Sequence, residues 1–390
     1  MRSYKLPSRF AAALTIATIV SALPALPTRS GVLGNLFSGA DSGKVAKFEY
    51  TLDDTFDVTS VAWSPDGRYI ATSSTQGNLI HVWDVDRRAI AKEFRLTAFN
   101  GYMHDLSWSP DGRYLAACDG AAPSFRVYDI RAWSEAYSFA KEDIGDCRQA
   151  AFSSDGKRMA VLGTRVVVYA TTDWSLIKIS DLRHGWAKGP PLVNAIGFIP
   201  GTYTLVIGGG EYVNVGTGEK SLPGIAVAHM VGYLWFLGPD ETSPSRNFQA
   251  YGVTGRDGGA GEVESLAISP DGTRVATGTL TGAGPPGREV IESVRIFDIS
   301  SGALLGAPLE HTPFGQQKGL EYTPDGRYVI AGHEEAVTKA IHLIDARTGQ
   351  IADLVHAGDA VYDIAVHPQS TQFAAGSGTR IVVWSLPGGH

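Results

Sequence analysis

The stretch VAWSPDGRYIATSS, residues 61–74, decides the fold of this chain. Two short apolar runs flank a Ser-Pro-Asp-Gly sequence. Proline presets the backbone angle of a turn, aspartate bonds to nearby backbone, and glycine accepts the left-handed conformation. The stretch therefore predicts two antiparallel β-strands joined by a tight turn.

Six further stretches repeat this pattern along the chain. They are LSWSPDGRYLAACD (106–119), AAFSSDGKRMAVLG (150–163), IGFIPGTYTLVIGG (196–209), LAISPDGTRVATGT (266–279), LEYTPDGRYVIAGH (320–333) and IAVHPQSTQFAAGS (364–377). Several copies precede a strand that ends in an aromatic or aliphatic residue and aspartate, as in Trp83-Asp84 and Tyr128-Asp129. One such unit cannot cover its own apolar faces, so neighbouring units must stack.

The spacing of the turns sets the number of units. The turns centre on Asp66, Asp111, Asp155, Gly201, Asp271, Asp325 and Gln369. Most intervals match the roughly 40–45 residues of a four-stranded propeller blade, and we assign the longer interval after Gly201 to one blade with an insertion. The sequence therefore predicts an all-β fold: a seven-bladed β-propeller of four-stranded antiparallel blades, spanning residues 45–388.

The two ends of this domain complement each other. The last unit ends with a strand at residues 380–386 and leaves no room for a fourth strand, whereas an extra strand at residues 47–52 precedes the first unit. Pairing the extra strand with the last blade would close the ring and remove an exposed sheet edge. We predict this closure, preceded by a flexible linker at residues 31–44 that is rich in glycine and serine.

Residues 1–30 have the pattern of a secretory signal peptide. Arg2, Lys5 and Arg9 precede an apolar stretch at residues 10–20, and small residues follow it. The apolar stretch is shorter than the roughly 20 residues that span a bilayer. We expect export to the periplasm or the exterior. An uncleaved membrane anchor and a cytoplasmic protein with an unstructured leader are the alternatives.

Charge and cysteine content exclude several classes of function. The formal charge of −7 and the pI of about 5.8 argue against a nucleic-acid-binding surface, which needs clustered lysine and arginine. The two cysteines, Cys118 and Cys147, are too far apart in sequence for a CxxC redox motif. Both should lie near one face in adjacent units, where they form either a disulfide or two free thiols.

Motifs for catalysis or for cofactor binding are missing from the sequence. It contains no GxSxG, HExxH or EF-hand pattern, and its glycine-lysine fragments lack the spacing of a phosphate-binding loop. The aspartates of the repeated turns recur at equivalent positions, so we interpret them as turn formers. We predict no catalytic residue, no cofactor and no metal site.

The repeats resemble those of the WD-repeat β-propeller family. The resemblance covers about residues 45–388 and is most specific in SPDGRYIA followed by GNLIHVWDV, residues 64–71 and 77–85. Typical repeats also carry a histidine before the first strand and an aspartate before the Trp-Asp strand, which together buttress the blade. Gln76 occupies that aspartate position, which puts the buttress in doubt. TolB-like propellers, which also use SPDG turns, are the second resemblance.

The family resemblance implies a binding platform for proteins or peptides, without enzymatic activity. In this family, the loops before the first and third strands surround one mouth of the central channel, and we expect the partner to bind there. We expect the protein to be a monomer. Long loops on a rigid scaffold commonly carry function. The candidate contact residues are aromatic residues and an arginine in or near these loops: Tyr102, Trp186, Tyr212, Tyr251, Arg256 and Phe314. The alternatives are a propeller hydrolase, lyase or quinone-dependent dehydrogenase, or a TolB-like periplasmic translocation component.

Overall fold

In the computed structural model, this chain folds into seven four-stranded antiparallel blades. The structure describes residues 45–74, 78–96, 103–119, 125–139, 144–180, 192–214, 228–251, 261–281, 292–310, 315–333, 339–369 and 372–386. The predictions for residues 1–30 and 31–44 fall outside these ranges. The predicted seven-bladed propeller is confirmed.

The blades follow one another along the chain, each running from its innermost strand to its outermost strand. Blade 1 contains β2 (Val58–Trp63), β3 (Tyr69–Ser74), β4 (Leu79–Asp84) and β5 (Ala89–Arg95). Blade 2 contains β6 (Met103–Trp108), β7 (Tyr114–Asp119), β8 (Phe125–Asp129) and β9 (Ser134–Phe139). Blade 3 contains β10 (Gln149–Phe152), β11 (Arg158–Leu162), β12 (Val166–Ala170) and β13 (Leu176–Ser180).

The second half of the chain repeats this order. Blade 4 contains β14 (Leu192–Phe198), β15 (Leu205–Asn214), β16 (Ala228–Leu237) and β17 (Arg246–Tyr251). Blade 5 contains β18 (Val263–Ile268), β19 (Arg274–Thr281), β20 (Glu292–Asp298) and β21 (Leu304–Glu310). Blade 6 contains β22 (Gly315–Tyr322), β23 (Tyr328–His333), β24 (Ala340–Asp345) and β25 (Ile351–His356). Blade 7 contains β26 (Val361–Val366), β27 (Gln372–Ser377) and β28 (Arg380–Ser385), completed by β1 (Lys47–Asp53).

The chain ends close the ring as the sequence predicts. Strand β1 pairs antiparallel with β28, with Phe48 opposite Trp384 and Leu52 opposite Ile381. The inner strand of each blade contacts the inner strand of the next, and β26 contacts β2. The last blade therefore contains strands from both ends of the domain, so the ring cannot open without breaking a ladder.

Apolar packing between blades holds the ring together. Seven clusters of buried side chains occur, one between each pair of neighbouring blades. Between blades 7 and 1, for example, Val58 and Trp63 pack with Ala374 and Val383. Each fully buried large side chain contributes about 1.5–3 kcal/mol. Because both faces of every blade are covered, the strands have apolar residues on both faces.

The turn aspartates act as turn formers. In blade 1 the Ser64 hydroxyl donates to Asp66 Oδ1 at 2.6 Å, and the Tyr69 amide donates to Ser64 Oγ at 2.8 Å. Gly67 has the left-handed φ of 75° that closes the turn. The same hydroxyl-to-aspartate bond recurs at Asp111, Asp155, Asp271 and Asp325. These carboxylates are therefore committed to local structure.

A disulfide and a β-ladder each link one pair of neighbouring blades. Cys118 in β7 and Cys147 before β10 are joined by a disulfide between blades 2 and 3, and both residues are fully buried. Strand β19 extends far enough that Leu280 and Thr281 pair with Gln316 and Gly315 of β22. Blades 5 and 6 therefore share one continuous sheet.

None of the described segments is a helix long and apolar enough to cross a bilayer.

Asp353 anchors the closing strand from the neighbouring blade. Its carboxylate lies on β25 of blade 6, is 2% exposed, and accepts bonds from the Val45 and Ala46 amides, both at 2.8 Å. We expect Asp353→Ala to lower the unfolding free energy by about 2–3 kcal/mol, because two buried amides lose their acceptor. Urea denaturation measures this change.

Asp86→Ala, in the exposed turn between β4 and β5, is the matched control and should change the unfolding free energy by less than about 0.5 kcal/mol. An equal, small effect of both substitutions would show that Asp353 does not anchor β1.

Candidate functional site

A cavity of about 400 Å³ lies in the central channel of the propeller. Its walls are formed by the inner strands of the blades, with Trp63 and Trp108 among the lining aromatics and Ser107, Ser265 and Gln149 among the polar residues. Three carboxylates also line it: Asp105, Glu321 and Asp363. The cavity is large enough for a small molecule.

The channel carboxylates bond to backbone amides of the next blade. Asp363 Oδ2 accepts from the Val61 amide at 3.0 Å, and Asp105 Oδ2 accepts from the Ala150 amide at 3.0 Å. Glu321 Oε2 accepts from the Val366 amide at 2.9 Å. Apart from β22, whose Gly315 and Gln316 also pair with β19, each described first strand pairs only with the second strand of its blade, so the amides on its other edge need such acceptors.

Neutral side chains fill the same role at other blade junctions. Ser60 Oγ accepts from the Leu106 amide at 3.2 Å and itself donates to Asp363 at 2.8 Å. Gln149 Oε1 accepts from the Ile196 amide at 2.7 Å. We call Ser60, Asp105, Gln149, Glu321 and Asp363 the channel ring. Asn194 adds a bond to the Val263 carbonyl between blades 4 and 5, at 3.2 Å.

Burial raises the pKa of the channel carboxyls. Desolvation is the largest cause for Asp105, whose pKa lies well above its usual range and is raised further by the charges of Asp363 and Glu321. Desolvation raises the pKa of Glu321 to about 8, with a smaller contribution from Asp363. Each carboxyl is partly buried and lines the channel. A charge at such a position is hydrated less well than a charge in bulk solvent, which explains the raised pKa values.

The carboxyls of the channel ring have structural partners. Each carboxylate already has one oxygen committed to an amide of the neighbouring blade. Among the described residues, no group of three or more histidine, cysteine, aspartate or glutamate side chains could hold a metal ion. The arrangement links blades and keeps a polar wall inside the channel.

Sequence reasoning missed most of the channel ring. Glu321 occupies a position that is small in the other six units, and it lines the channel. Five of the seven inner strands carry a polar residue just before their alternating apolar pair: Ser60, Asp105, Gln149, Ser265 and Asp363. A polar position that recurs inside an otherwise apolar strand was the available signal.

A second candidate feature is a hairpin that projects from blade 4. Strands β15 and β16 pair over their full length, from Leu205 with Leu237 to Asn214 with Ala228. Their neighbours stop earlier, because β14 pairs only as far as Gly210 and β17 only as far as Gly232. Among the described residues, no third strand pairs with the last four pairs of the hairpin, Glu211–Asn214 with Ala228–Val231.

The structure describes two of the six predicted contact residues. Tyr212 lies in the projecting part of β15, opposite Met230. Tyr251 ends β17 but is only 4% exposed, and its hydroxyl donates to the Thr277 carbonyl at 2.9 Å between blades 4 and 5. It therefore has almost no surface for a partner, which corrects its proposed role. The others lie outside the described residues: Tyr102, Trp186, Arg256 and Phe314.

The sequence also predicts a long loop at residues 208–224, and the structure corrects this prediction. Strand β15 continues through Asn214. A Cβ at Gly209 would collide with the Leu192 carbonyl of β14, and a Cβ at Gly208 with Val263 of blade 5, so glycine permits close packing of the strand here. The connection between β15 and β16 therefore begins at residue 215.

Blade 1 contains the buttress that the sequence left in doubt. The Trp83 indole donates to Thr72 Oγ1 at 3.1 Å, and Thr72 donates to Asp54 Oδ2 at 3.1 Å. The other oxygen of Asp54 bonds His81 Nδ1 at 2.9 Å. Asp54 comes from the loop after β1, so an aspartate from the loop and a histidine from the strand replace the usual arrangement. The Asp54 bond raises the pKa of His81.

Comparison with known proteins gives one family. A family model described as WD domain, G-beta repeat matches residues 46–84, 93–129 and 350–385. Each matched stretch begins on the outer strand of one blade and continues through the three inner strands of the next blade. The repeat in sequence is thus offset from the blade in space, as ring closure requires. A search of curated proteins finds no match.

Glu321 should make the stability of the protein depend on pH. Its folded pKa of about 8 lies above its ordinary value of 4.5, so the folded state keeps a proton that the unfolded state loses. The unfolding free energy should fall as the pH rises from about 4.5 to about 8. Because Glu321 is partly exposed in the channel, solvent screening reduces the effect of its charge. We therefore expect the fall in unfolding free energy to be about 1–3 kcal/mol smaller in Glu321→Gln than in the original protein.

Urea denaturation between pH 5 and pH 9 measures the effect. The exposed Glu49→Gln serves as a control and should leave the pH dependence unchanged. Asp105 titrates with the same sign, so part of the dependence remains in Glu321→Gln. If that variant and the original protein lose stability equally over this range, Glu321 is not the titrating group.

Proposed function

We propose that this chain, which is a WD-repeat β-propeller, is a non-enzymatic scaffold that binds another protein or peptide through its loop face. The projecting hairpin β15–β16 is the observation that carries this proposal. WD-repeat propellers generally mediate protein interactions, and the ladder of this hairpin continues past the ends of the strands on either side of it.

The rigidity of the scaffold supports binding. Strand β1 closes the propeller, hydrogen bonds of the channel ring link neighbouring blades, and a disulfide cross-links blades 2 and 3. A partner that contacts a rigid surface loses less free energy to the ordering of that surface. Tyr212 in the hairpin, and Tyr102, Trp186, Arg256 and Phe314, remain the proposed contact residues.

Binding is favoured over catalysis by the state of the channel carboxyls. Convergent carboxylates in a channel would suit a propeller enzyme. Here Asp105, Glu321 and Asp363 accept bonds from backbone amides of the next blade, which gives each of them a structural role. An enzyme of the hydrolase, lyase or dehydrogenase type remains the second candidate because of this cluster.

Removing the tip of the hairpin tests the binding role. Asn214 pairs with Ala228, so residues 215–227 can be replaced by an Asn-Gly turn without changing the ladder. We expect this variant to recover at least about fivefold less of the partners captured by the original protein from an extract of the producing cell, because the contact surface is lost. Quantitative mass spectrometry of the captured proteins measures recovery.

A matched variant changes the opposite end of the same blade. Asp240→Ser combined with Thr242→Ala alters two exposed residues of the turn between β16 and β17, and its capture should equal that of the original protein. Undiminished recovery after removal of residues 215–227 would argue that the loop face of blade 4 is not the binding surface.

We also propose that the protein is exported to the periplasm or the exterior. The signal-like pattern of residues 1–30 and the disulfide support this location, since disulfides persist in oxidising compartments. Protein purified without reductant should begin between residues 22 and 30 and contain no titratable thiol after denaturation. Intact mass and thiol titration measure both properties. Two titratable thiols in a chain that retains Met1 would contradict export.

A further inference from the structure

The seam between blade 7 and blade 1, where the ring is closed, contains a buried histidine that contacts two carboxylates. His81 lies on β4 of blade 1, and its side chain is 4% exposed. Its Nδ1 lies 2.9 Å from Asp54 Oδ1, and its Nε2 lies 3.3 Å from Glu93 Oε2. A carboxylate only accepts hydrogen bonds, so both contacts are hydrogen bonds only when both ring nitrogens carry hydrogen. The geometry therefore fits the charged form of His81.

Asp54 extends this contact across the seam. It follows β1, the closing strand of blade 7, and its amide donates to the Thr379 carbonyl in the turn between β27 and β28, at 2.7 Å. On the side of blade 1, its Oδ1 faces His81 and its Oδ2 accepts from Thr72 Oγ1 at 3.1 Å. The Asp54 side chain is 3% exposed. Residues 54–57, which we call the seam loop, are thus bonded to both blades.

The two carboxylates differ in their access to water. The Glu93 side chain is 35% exposed, and its Oε1 accepts from Arg95 Nη2 at 2.7 Å. When His81 loses its proton, Glu93 can turn to water and keep its bond to Arg95. Asp54 is too deeply buried to do so, and the remaining ring hydrogen therefore stays on Nδ1. The buried carboxylate then keeps a neutral donor but loses the positive charge beside it, which is costly.

A second histidine shows that the carboxylate pair is particular to the seam. His342 occupies the equivalent position of blade 6, on β24. Where His81 has Glu93 opposite it on the outer strand, His342 has Leu354. The repeated strand therefore does not itself require a carboxylate at this position, and blade 1 has one where the two ends of the ring meet.

The charges at the seam determine the pH range in which it is fully bonded. The bond to Asp54 is the largest cause that raises the pKa of His81, and Glu93 adds to it, against the effect of burial. Burial acts to raise the pKa of Asp54, but the bond and the charge of His81 lower it. The ion pair therefore exists from below pH 3.8 to above pH 6.5, and rising pH removes it by deprotonating His81. The other charged residues of the seam loop, of β5 and of the adjoining ladder are Asp53, Asp57, Arg95 and Arg380.

We propose that His81 is a pH-dependent latch of the propeller. With its proton, His81 holds the seam loop, and with it the end of β1, against blade 1. In mildly alkaline solution it loses the proton, and the buried Asp54 carboxylate then favours states in which the seam loop opens to water. The latch controls local opening at the closure of the ring. It goes beyond the binding proposed for the loop face and does not depend on it.

Hydrogen–deuterium exchange of the full chain tests the latch. The amides of Asp54 and Val58 donate to carbonyls of the turn between β27 and β28, so they exchange when the seam loop opens. Ile299, whose amide donates to the Thr273 carbonyl of blade 5 at 2.8 Å, is the reference for changes in the whole domain. After correction for the intrinsic effect of pH on exchange, protection of the seam amides should fall at least about fivefold more than that of Ile299 between pH 6 and pH 9, because a charge-assisted bond becomes neutral.

Two substitutions assign the fall to His81 and its partners. The amide of Asn in His81→Asn replaces Nδ1–H as a permanently neutral donor, so the extra fall should shrink to less than about twofold, with protection already low at pH 6. Glu93→Gln removes one of the carboxylates that hold the proton, and the midpoint of the fall should move down by roughly half a pH unit or more. Glu49→Gln, which removes a charge from an exposed position of β1, is the matched control and should leave the fall unchanged.

Three results would overturn the proposal. Seam amides that follow Ile299 at every pH would show that the seam loop does not open separately, and this comparison holds even if His81→Asn folds poorly. An undiminished fall in His81→Asn would assign the proton to another group. Loss of the extra fall in Glu321→Gln would assign it to the channel ring, whereas the latch predicts that it persists in that variant.

Discussion

The unpaired inner edges of seven strands are the constraint on which this structure depends. Apart from β22, whose Gly315 and Gln316 also pair with β19, each first strand pairs with one strand only among the described residues, and the amides on its other side face a channel inside the protein. A buried amide without an acceptor costs about 1–3 kcal/mol. The channel ring supplies acceptors from the preceding blade, so one set of bonds both satisfies the edge and links neighbouring blades.

This solution accounts for the otherwise unexpected placement of carboxyls in the interior. Aspartate and glutamate are rarely buried without partners. Asp105 and Asp363 stand at equivalent positions and reach the amides of the next blade, whereas Glu321 performs the same task from two residues further along its strand. Burial and, to a smaller extent, repulsion between the channel carboxyls raise the pKa of Asp105 and Glu321, which ties the stability of the ring to pH.

The outer strands and the end of the β15–β16 hairpin have backbone edges that the fold does not complete. The repeated turns and the blade interfaces, in contrast, bond their own polar groups and cover their own apolar faces. The outer strand of each blade and the last pairs of β15–β16 have no further neighbouring strand within the described residues. On a rigid ring, surfaces that the fold does not complete are the natural places for a partner to bind.

The sequence by itself determined the all-β class, the seven units, the turn role of Asp66 and its equivalents, and the closure by residues 47–52. These follow from local causes: alternation of apolar residues, turn chemistry and regular spacing act within one unit. Tertiary structure alone decided the channel ring, the burial of Tyr251, the pairing of Cys118 with Cys147 and the Asp54–His81 contact. Each of these joins residues from different blades or from a blade and a distant loop, and only the closure of the ring sets their distance and their exposure to water.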